Sequence, residues 1–347
     1  MIRFFTLFIL LLSSAVVFAG NPDRQGEAGA AELLMNPWAR SAGLHTMNTA
    51  NIYGVEAMRL NIAGISRINS TEVNVSHALY MRGTDIRMNA LGLTQKIGEN
   101  GALGISLMSL DLGDIPVTTV NQPEGTGATF SPNFFNLGIG YGHTFENKVS
   151  VGILLRAVSQ STQELSALGF AIDAGVQYVA GDQEEFKFGI SLRNIGSTMR
   201  YSGQGLALGA QNPDSDIDYE LTLNQRSEDF ELPSVLNIGA AYDINIGTTN
   251  RVTLIGNFTA NSFSQDQLGG GLEYSLNNLF QVRAAYKYEV GSENVETAPL
   301  YSGLSFGASI AAPLSKEDKS RIFGIDYSYR QTRLFDGTHN IGVRIAL

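Results

Sequence analysis

The chain has 347 residues, 33 acidic against 23 basic, a formal net charge of −10 and no cysteine. That balance leaves no basic face for nucleic acid, and the missing cysteines exclude disulfides, cysteine metal sites and a lipoprotein anchor. Mean hydropathy is zero with 44% apolar residues, values a soluble protein shares, so the patterning of apolar residues has to decide the class.

At the N-terminus Met1, Ile2 and Arg3 form a short positive region, Phe4 to Val17 an almost unbroken apolar run, and Val17-Phe18-Ala19 a small-residue cleavage site. Residues 1–19 read as a cleaved secretory signal. No later segment reaches the roughly eighteen apolar residues of a transmembrane helix, so any membrane crossing is by strands. Residues 20–65 precede the first strand and read as a hatch or plug, followed by a single domain over 66–347.

From there period two dominates. Phe135, Leu137, Ile139 and Tyr141 alternate with Asn136, Gly138, Gly140 and Gly142, and Phe186, Phe188, Ile190 and Leu192 alternate with Lys187, Gly189, Ser191 and Arg193. Fourteen strands are expected near 72–80, 86–96, 101–112, 134–145, 148–160, 167–180, 186–194, 235–246, 251–262, 267–276, 278–289, 301–314, 320–331 and 338–347. Gaps after even-numbered strands, such as 97–100, 146–147 and 247–250, are short, while those after odd-numbered strands include 113–133, 195–234 and 290–300. Short turns at one end and long loops at the other describe an antiparallel transmembrane β-barrel of the bacterial outer membrane. An even strand count puts both termini in the periplasm and the long loops outside.

The two faces of the strands differ. Val149, Val151, Ile153 and Leu155, Phe170, Ile172, Val176 and Tyr178, Leu236, Ile238, Tyr242 and Ile244, and Ile341, Val343, Ile345 and Leu347 form an uncharged side suited to lipid. The opposite side carries Arg156, Asp173, Lys187, Arg193, Glu273, Arg283, Lys287, Asp326, Arg330 and Arg344. Turned toward lipid at the midplane, an Arg or Lys would cost about 2–4 kcal/mol. Their mixed sign suits ion pairs that hold a plug, so Arg156, Asp173, Arg193, Glu273, Arg283, Asp326 and Arg344 are the candidate lumen and plug contacts. Tyr80, Phe145, Tyr178, Tyr274, Tyr288, Tyr327 and Tyr329 fit interfacial girdles.

Apparent catalytic motifs fail on context. Gly303-Leu304-Ser305-Phe306-Gly307 matches a nucleophile elbow, but strand alternation continues past it where a helix is required. Gly138-x-Gly-x-Gly142 lies within a strand, so its glycines leave lumen space and do not cradle phosphate. His45, His77, His143 and His339 have no partner at metal-ligand spacing. No catalytic residue, metal or cofactor is expected.

Ala-Ala-Glu-Leu-Leu at 30–34 followed by Ala39-Arg40-Ser-Ala-Gly43-Leu44, then Asp173-Ala-Gly-Val-Gln-Tyr178, Leu192-Arg-Asn-Ile-Gly196, Glu231-Leu-Pro-Ser234, Gly271-Leu-Glu-Tyr274 and Arg283-Ala-Ala-Tyr286, resembles in order the motifs of the PorV/PorQ proteins of Bacteroidetes, which are FadL-like barrels. The chain departs from that pattern at Asn61-Ile-Ala-Gly64, where the family commonly has Asn-Pro-Ala-Gly. The resemblance implies an all-β, fourteen-stranded FadL-like barrel with an N-terminal hatch. It also implies a non-enzymatic role in type IX secretion, with the translocon, the attachment complex and secreted proteins bearing a C-terminal domain as partners. Recognition would then fall on the external loops, with Val117, Val120 and Phe130 in one, and Leu221, Leu223, Phe230 and Leu232 in the acidic 203–232 loop, which also carries Asp214, Asp216 and Asp218. The rival reading is a FadL-like channel for hydrophobic small molecules, with an apolar pocket above the hatch and a strand kink at Gly92, Pro116 or Gly269–Gly271.

Overall fold

A computed structural model describes residues 20–146, 148–211, 220–292, 298–315 and 321–347; the expected signal segment and Asp214, Asp216 and Asp218 lie outside the described residues. Fourteen strands form the wall: β1 Thr71–Leu79, β2 Arg87–Ile97, β3 Gly101–Asp111, β4 Asn133–Phe145, β5 Val149–Thr162, β6 Leu165–Ala180, β7 Phe186–Gly196, β8 Val235–Ile246, β9 Asn250–Asn261, β10 Gln267–Leu276, β11 Phe280–Glu289, β12 Tyr301–Pro313, β13 Ile322–Thr332 and β14 Thr338–Ala346. Each pairs antiparallel with the next, and β14 returns to β1, so the sheet is closed and has no free edge. Every expected strand is present, with ends displaced by a few residues.

Period-two patterning sets the faces. Outward side chains such as Ile139, Leu155 and Phe170 are 54%, 59% and 60% exposed, whereas Arg156, Asp173 and Asp326 are buried in the lumen. One end of the barrel has tight turns at 98–100, 146–148, 247–249 and 277–279; the other has the segments 112–132, 197–234 and 290–300. The parity of loop lengths is incomplete: on that second end 262–266 and 333–337 have five residues each, no more than 181–185 on the first, and only Gln163 and Glu164 join β5 to β6. These are the longest strands, with 14 and 16 residues, so length that is loop elsewhere is wall here. Tyr80 departs from the expected girdle: it turns inward and packs edge-on to Tyr301 at 6.4 Å. An aromatic at a strand end has the same propensity for either face.

The lumen is filled by the N-terminal segment, folded as short turns at Ala31–Leu34, Ala39–Ala42, Gly54–Glu56, Ala57–Leu60 and Ile62–Ser66. Its apolar side chains meet the wall in patches: Met58, Ile62 and Ile65 against Ala102 and Leu154, Leu44 and Met47 against Ala241, Ile255 and Ala285, and Trp38 and Val55 against Met88 and Leu110. Each large side chain so buried is worth about 1.5–3 kcal/mol. The inward glycines of the wall make this fit possible. A Cβ on Gly140 would stand 2.6 Å from Ile62 Cδ1, and one on Gly152 would stand 2.8 Å from the Ile62 carbonyl.

Candidate functional site: hatch contacts and the chamber above

Segments without regular helix or strand leave buried carbonyls in need of donors. Here the wall supplies them from side chains. Gln177 Nε2 donates to Thr49 O at 3.1 Å and Ile52 O at 2.9 Å, Asn340 Nδ2 to Pro37 O at 2.7 Å, Ser76 Oγ to Pro37 O at 2.7 Å, and Arg156 Nη2 to Met58 O at 3.1 Å. In the other direction, Val55 N donates to Glu72 Oε1 at 2.9 Å, and Asn61 Nδ2 reaches Val176 O at 3.1 Å. The wall amides drew no attention in the sequence because neutral amides are ordinary lumen polarity; only their multiplicity on inward positions signals a docked segment.

The seven candidate lumen and plug contacts fall into three groups, apart from a further lumen pair of Lys187 with Asp243. Arg156 is 2.7 Å from Asp173, whose other oxygen accepts from Asn194 N at 2.7 Å. Asn194 is in the left-handed region (φ 61°), and β7 there has two residues opposite one of β6, a bulge that buries Asn194 beside Arg193, which keeps its inward place in the alternation and donates to Arg59 O of the hatch. Arg283 donates to Glu273 at 2.9 Å and to Ser309 at 2.9 Å, and its stem packs where a Cβ on Gly43 would stand, 3.1 Å away. Arg344 is 3.7 Å from Asp326, which also accepts from Ser309. Ser305 sits within β12 and donates to Gly43 O at 3.1 Å, a hatch contact.

The loop candidates divide. Val120 is fully exposed, while Val117 and Phe130 are half-buried in a small hairpin at the long-loop end. Leu221 and Leu223 are exposed on one face of a second hairpin, Ala207–Gln211 with Glu220–Asn224, together with Leu208. Phe230 and Leu232 are not part of that surface. Leu232 is 4% exposed among Ala30, Leu33, Val158 and Met199, and the half-buried Phe230 stacks on Tyr201 at 5.7 Å. The foot of the loop folds onto the start of the hatch, with Gly29 N donating to Glu231 O at 3.0 Å and Arg24 to the Glu231 carboxylate at 2.7 Å. An apolar residue in a loop serves the loop's own core as readily as a partner, and these two pack into that core.

Above the hatch, toward the end with the long loops, lies a chamber of about 340 Å³. Leu34, Met35 and His45 form part of its floor, and Tyr80, Lys287, Leu300, Tyr301 and Arg330 part of its wall. The ring of Tyr301 organises it: His45 meets it edge-on at 5.5 Å and the Arg330 guanidinium lies 4.9 Å from its centroid. Burial, reinforced by Lys287 and Arg330, holds the His45 imidazole well below its usual range, so it is neutral. Beside the chamber the β11–β12 ladder ends at Tyr286 and Leu304, and the β12–β13 register shifts between Tyr301 and Ser305. Gly303 turns this corner at φ 97°, open only to glycine without strain. The expected kinks are elsewhere in kind: Gly92 and Gly269–Gly271 pair regularly, and Pro116 is in the small hairpin at the long-loop end. Below the hatch a vestibule of about 780 Å³ is bordered by Arg67, Glu72, Arg251 and Arg344.

The sequence matches no protein-family model and no curated relative. Solved structures do match over most of the chain. A monoaromatic hydrocarbon channel, TodX in a mutant form, is 15% identical with a TM-score of 0.59, covering 90% of this chain and 98% of its own. The toluene transporter TbuX of Ralstonia pickettii is 11% identical with a TM-score of 0.54, over 90% and 97%. A FadL homologue of Pseudomonas aeruginosa is 12% identical with a TM-score of 0.52, over 88% and 96%. The chain is therefore a closed, all-β, fourteen-stranded antiparallel outer-membrane barrel of FadL-like fold with an N-terminal helical segment in its lumen.

Proposed function

We propose that this barrel admits small hydrophobic molecules across the bacterial outer membrane, the long loops facing outward and both termini the periplasm. The observation that carries the reading is the chamber of about 340 Å³ above a docked hatch, beside the place where the β11–β12 ladder ends. The neighbours named as hydrocarbon channels and a toluene transporter support it by fold. Passage requires the hatch to shift, because Leu44 and Met47 close the floor against the wall. The test is uptake of radiolabelled toluene by cells with intact lipopolysaccharide, expressing the barrel or an empty vector. A faster initial rate with the barrel supports the reading, and equal rates with the barrel present in the outer membrane reject it.

A second reading, a type IX secretion barrel without enzymatic activity that binds cargo or scaffolds the attachment complex, is favoured by the ordered motifs and by the exposed face of Leu208, Leu221 and Leu223. Co-purification from the native outer membrane in mild detergent tests it: secreted proteins with a common C-terminal domain should appear, and their absence rejects it.

A further inference from the structure

Arg59 of the hatch stands among charges that do not balance. It donates from Nε to Met35 O at 2.7 Å and from Nη2 to the carbonyls of Met35 and Glu32, and it has no ion pair among the described residues. The charged groups that act on it are Arg156, Arg193, Asp173 and Glu32. Asp173 is already bonded to Arg156, and both oxygens of Glu32 accept from Gln160. Three buried guanidiniums against two carboxylates leave one positive charge in surplus. Burial, reinforced by Arg156 and Arg193, accordingly pulls the Arg59 pKa well below its ordinary value.

Beside this cluster, between the hatch and strands β3 to β5, lies a cavity of about 10 Å³ bordered by Trp38 and Arg59 of the hatch and by Ser106, Met108, Asn136 and Arg156 of the wall. That is room for one water-sized occupant. Gly138 stands opposite Arg156 in the ladder, where a Cβ would come within 2.9 Å of Ser106 Oγ. Arg156 Nε and both polar atoms of the Asn136 amide are buried without a partner, on side chains only 4% and 1% exposed. Buried donors left open are costly, and the two residues that carry them border the same space.

We infer that this cavity is a binding site for a single halide ion such as chloride, held by N–H groups of Arg156 and Asn136 beside the Arg59 guanidinium. A water molecule would meet the same N–H groups but would leave the surplus charge in place, and a phosphate or carboxylate exceeds the volume. The attraction is strong here because the guanidiniums are desolvated. Wall and hatch border opposite sides of the cavity, so the ion fastens one to the other. The site shares no lining residue with the chamber above the hatch, and the inference is independent of the channel reading.

Crystals of the full mature barrel soaked in sodium bromide test the site by anomalous scattering. A bromine peak within hydrogen-bonding reach of Arg156 Nε and Asn136 Nδ2 is expected, and a water there without anomalous signal overturns the assignment. In detergent solution the test is proteolysis of the hatch, because undocking carries Trp38 and Arg59 away from the site. Cleavage within residues 20–65 should be about tenfold slower in sodium chloride, at about ten times its dissociation constant, than in sodium gluconate of equal ionic strength. Equal rates overturn the assignment even beside a bromine peak, as binding at crystal concentration only. Asn136→Leu fills the cavity and should abolish the difference between the two salts while the barrel keeps its heat-dependent gel mobility. A difference that persists in the folded variant places the ion elsewhere and overturns the assignment. If the variant does not fold, the peak and the salt response of the unaltered protein decide.

Discussion

Asn61 of the hatch donates from Nδ2 to the carbonyl of Val176 in β6 at 3.1 Å, and the same amide donates to Thr49 O at 3.0 Å while its Oδ1 accepts from Ala63 N at 3.2 Å. Gly175 lacks the Cβ that would block this approach. One side chain thus caps the Ile62–Ser66 turn, braces the hatch internally and ties it to the wall. Asn61→Leu should weaken hatch docking by about 1–3 kcal/mol, the cost of leaving buried partners unpaired. Limited proteolysis should then cut within residues 20–65 while the strands stay resistant.

Among the described residues Asp173 is the sole carboxylate directly bonded to Arg156, and it also anchors the β7 bulge through Asn194 N. Asp173→Ala should destabilise the folded barrel by about 3–5 kcal/mol, because Arg156 is left as a buried, unpaired charge. Urea unfolding of the refolded protein in lipid vesicles measures it; a loss below about 1 kcal/mol, the range of exposed pairs, would contradict the buried arrangement.

Gly140→Leu should displace the hatch without opening the barrel, since the new side chain would occupy the position of Ile62. Overpacking costs about 1–3 kcal/mol. The absence of native cysteine makes the readout direct. In an Ala63→Cys background, maleimide labelling should accelerate about tenfold for each 1.4 kcal/mol lost from docking.

Hatch docking should depend on pH through His45 and Glu32 in opposite directions. Burial lowers the His45 pKa in the docked state, so its contribution is present above the ordinary value of about 6.5 and is lost as pH falls toward the docked value. Burial raises the Glu32 pKa although Gln160 donates to both its oxygens, so its contribution is present below about 4.5 and is lost as pH rises through the docked value. Comparing His45→Gln with the unaltered protein isolates the first effect. Between pH 6.5 and 5 the variant should lose less protection from proteolysis than the parent.

Leu232 and Leu223 lie in the same long loop with opposite surroundings, so they should respond differently. Leu232→Ala should cost about 2–4 kcal/mol through the cavity left among Leu33, Val158 and Met199. Leu223→Ala should stay within about 0.5 kcal/mol. Thermal unfolding of the two variants separates loop residues that fasten the loop from those that display it.

The wall was legible because lipid outside and charge inside impose one strict rule on every second residue, from Val149 to Leu155 as from Ile341 to Leu347. Charged lumen residues such as Arg156 and Asp173 stood out against that rule. The hatch was legible only as a segment without alternation: its turns at Ala39–Ala42 and Ile62–Ser66 are too short for a period, and Asn61, Gln160 and Gln177 look like any polar residue until the segment they hold is in place. The chamber depends on Tyr301 and Gly303: alternation with Ser305 already puts Tyr301 on the inner side, but no local pattern announces the register shift between β12 and β13 beside it. Gly140 and Gly142 were correctly read as lumen space, and the structure adds that the space belongs to Ile62 and Ile65.

β5 and β6, with 14 and 16 residues, are the longest strands of the wall, and the foot of the 197–234 loop rests on them and on the hatch, Leu232 lying among Leu33, Val158, Ala167 and Met199. Where the wall runs furthest it therefore serves as a post, and one cluster of apolar side chains moors the longest loop and the start of the hatch together.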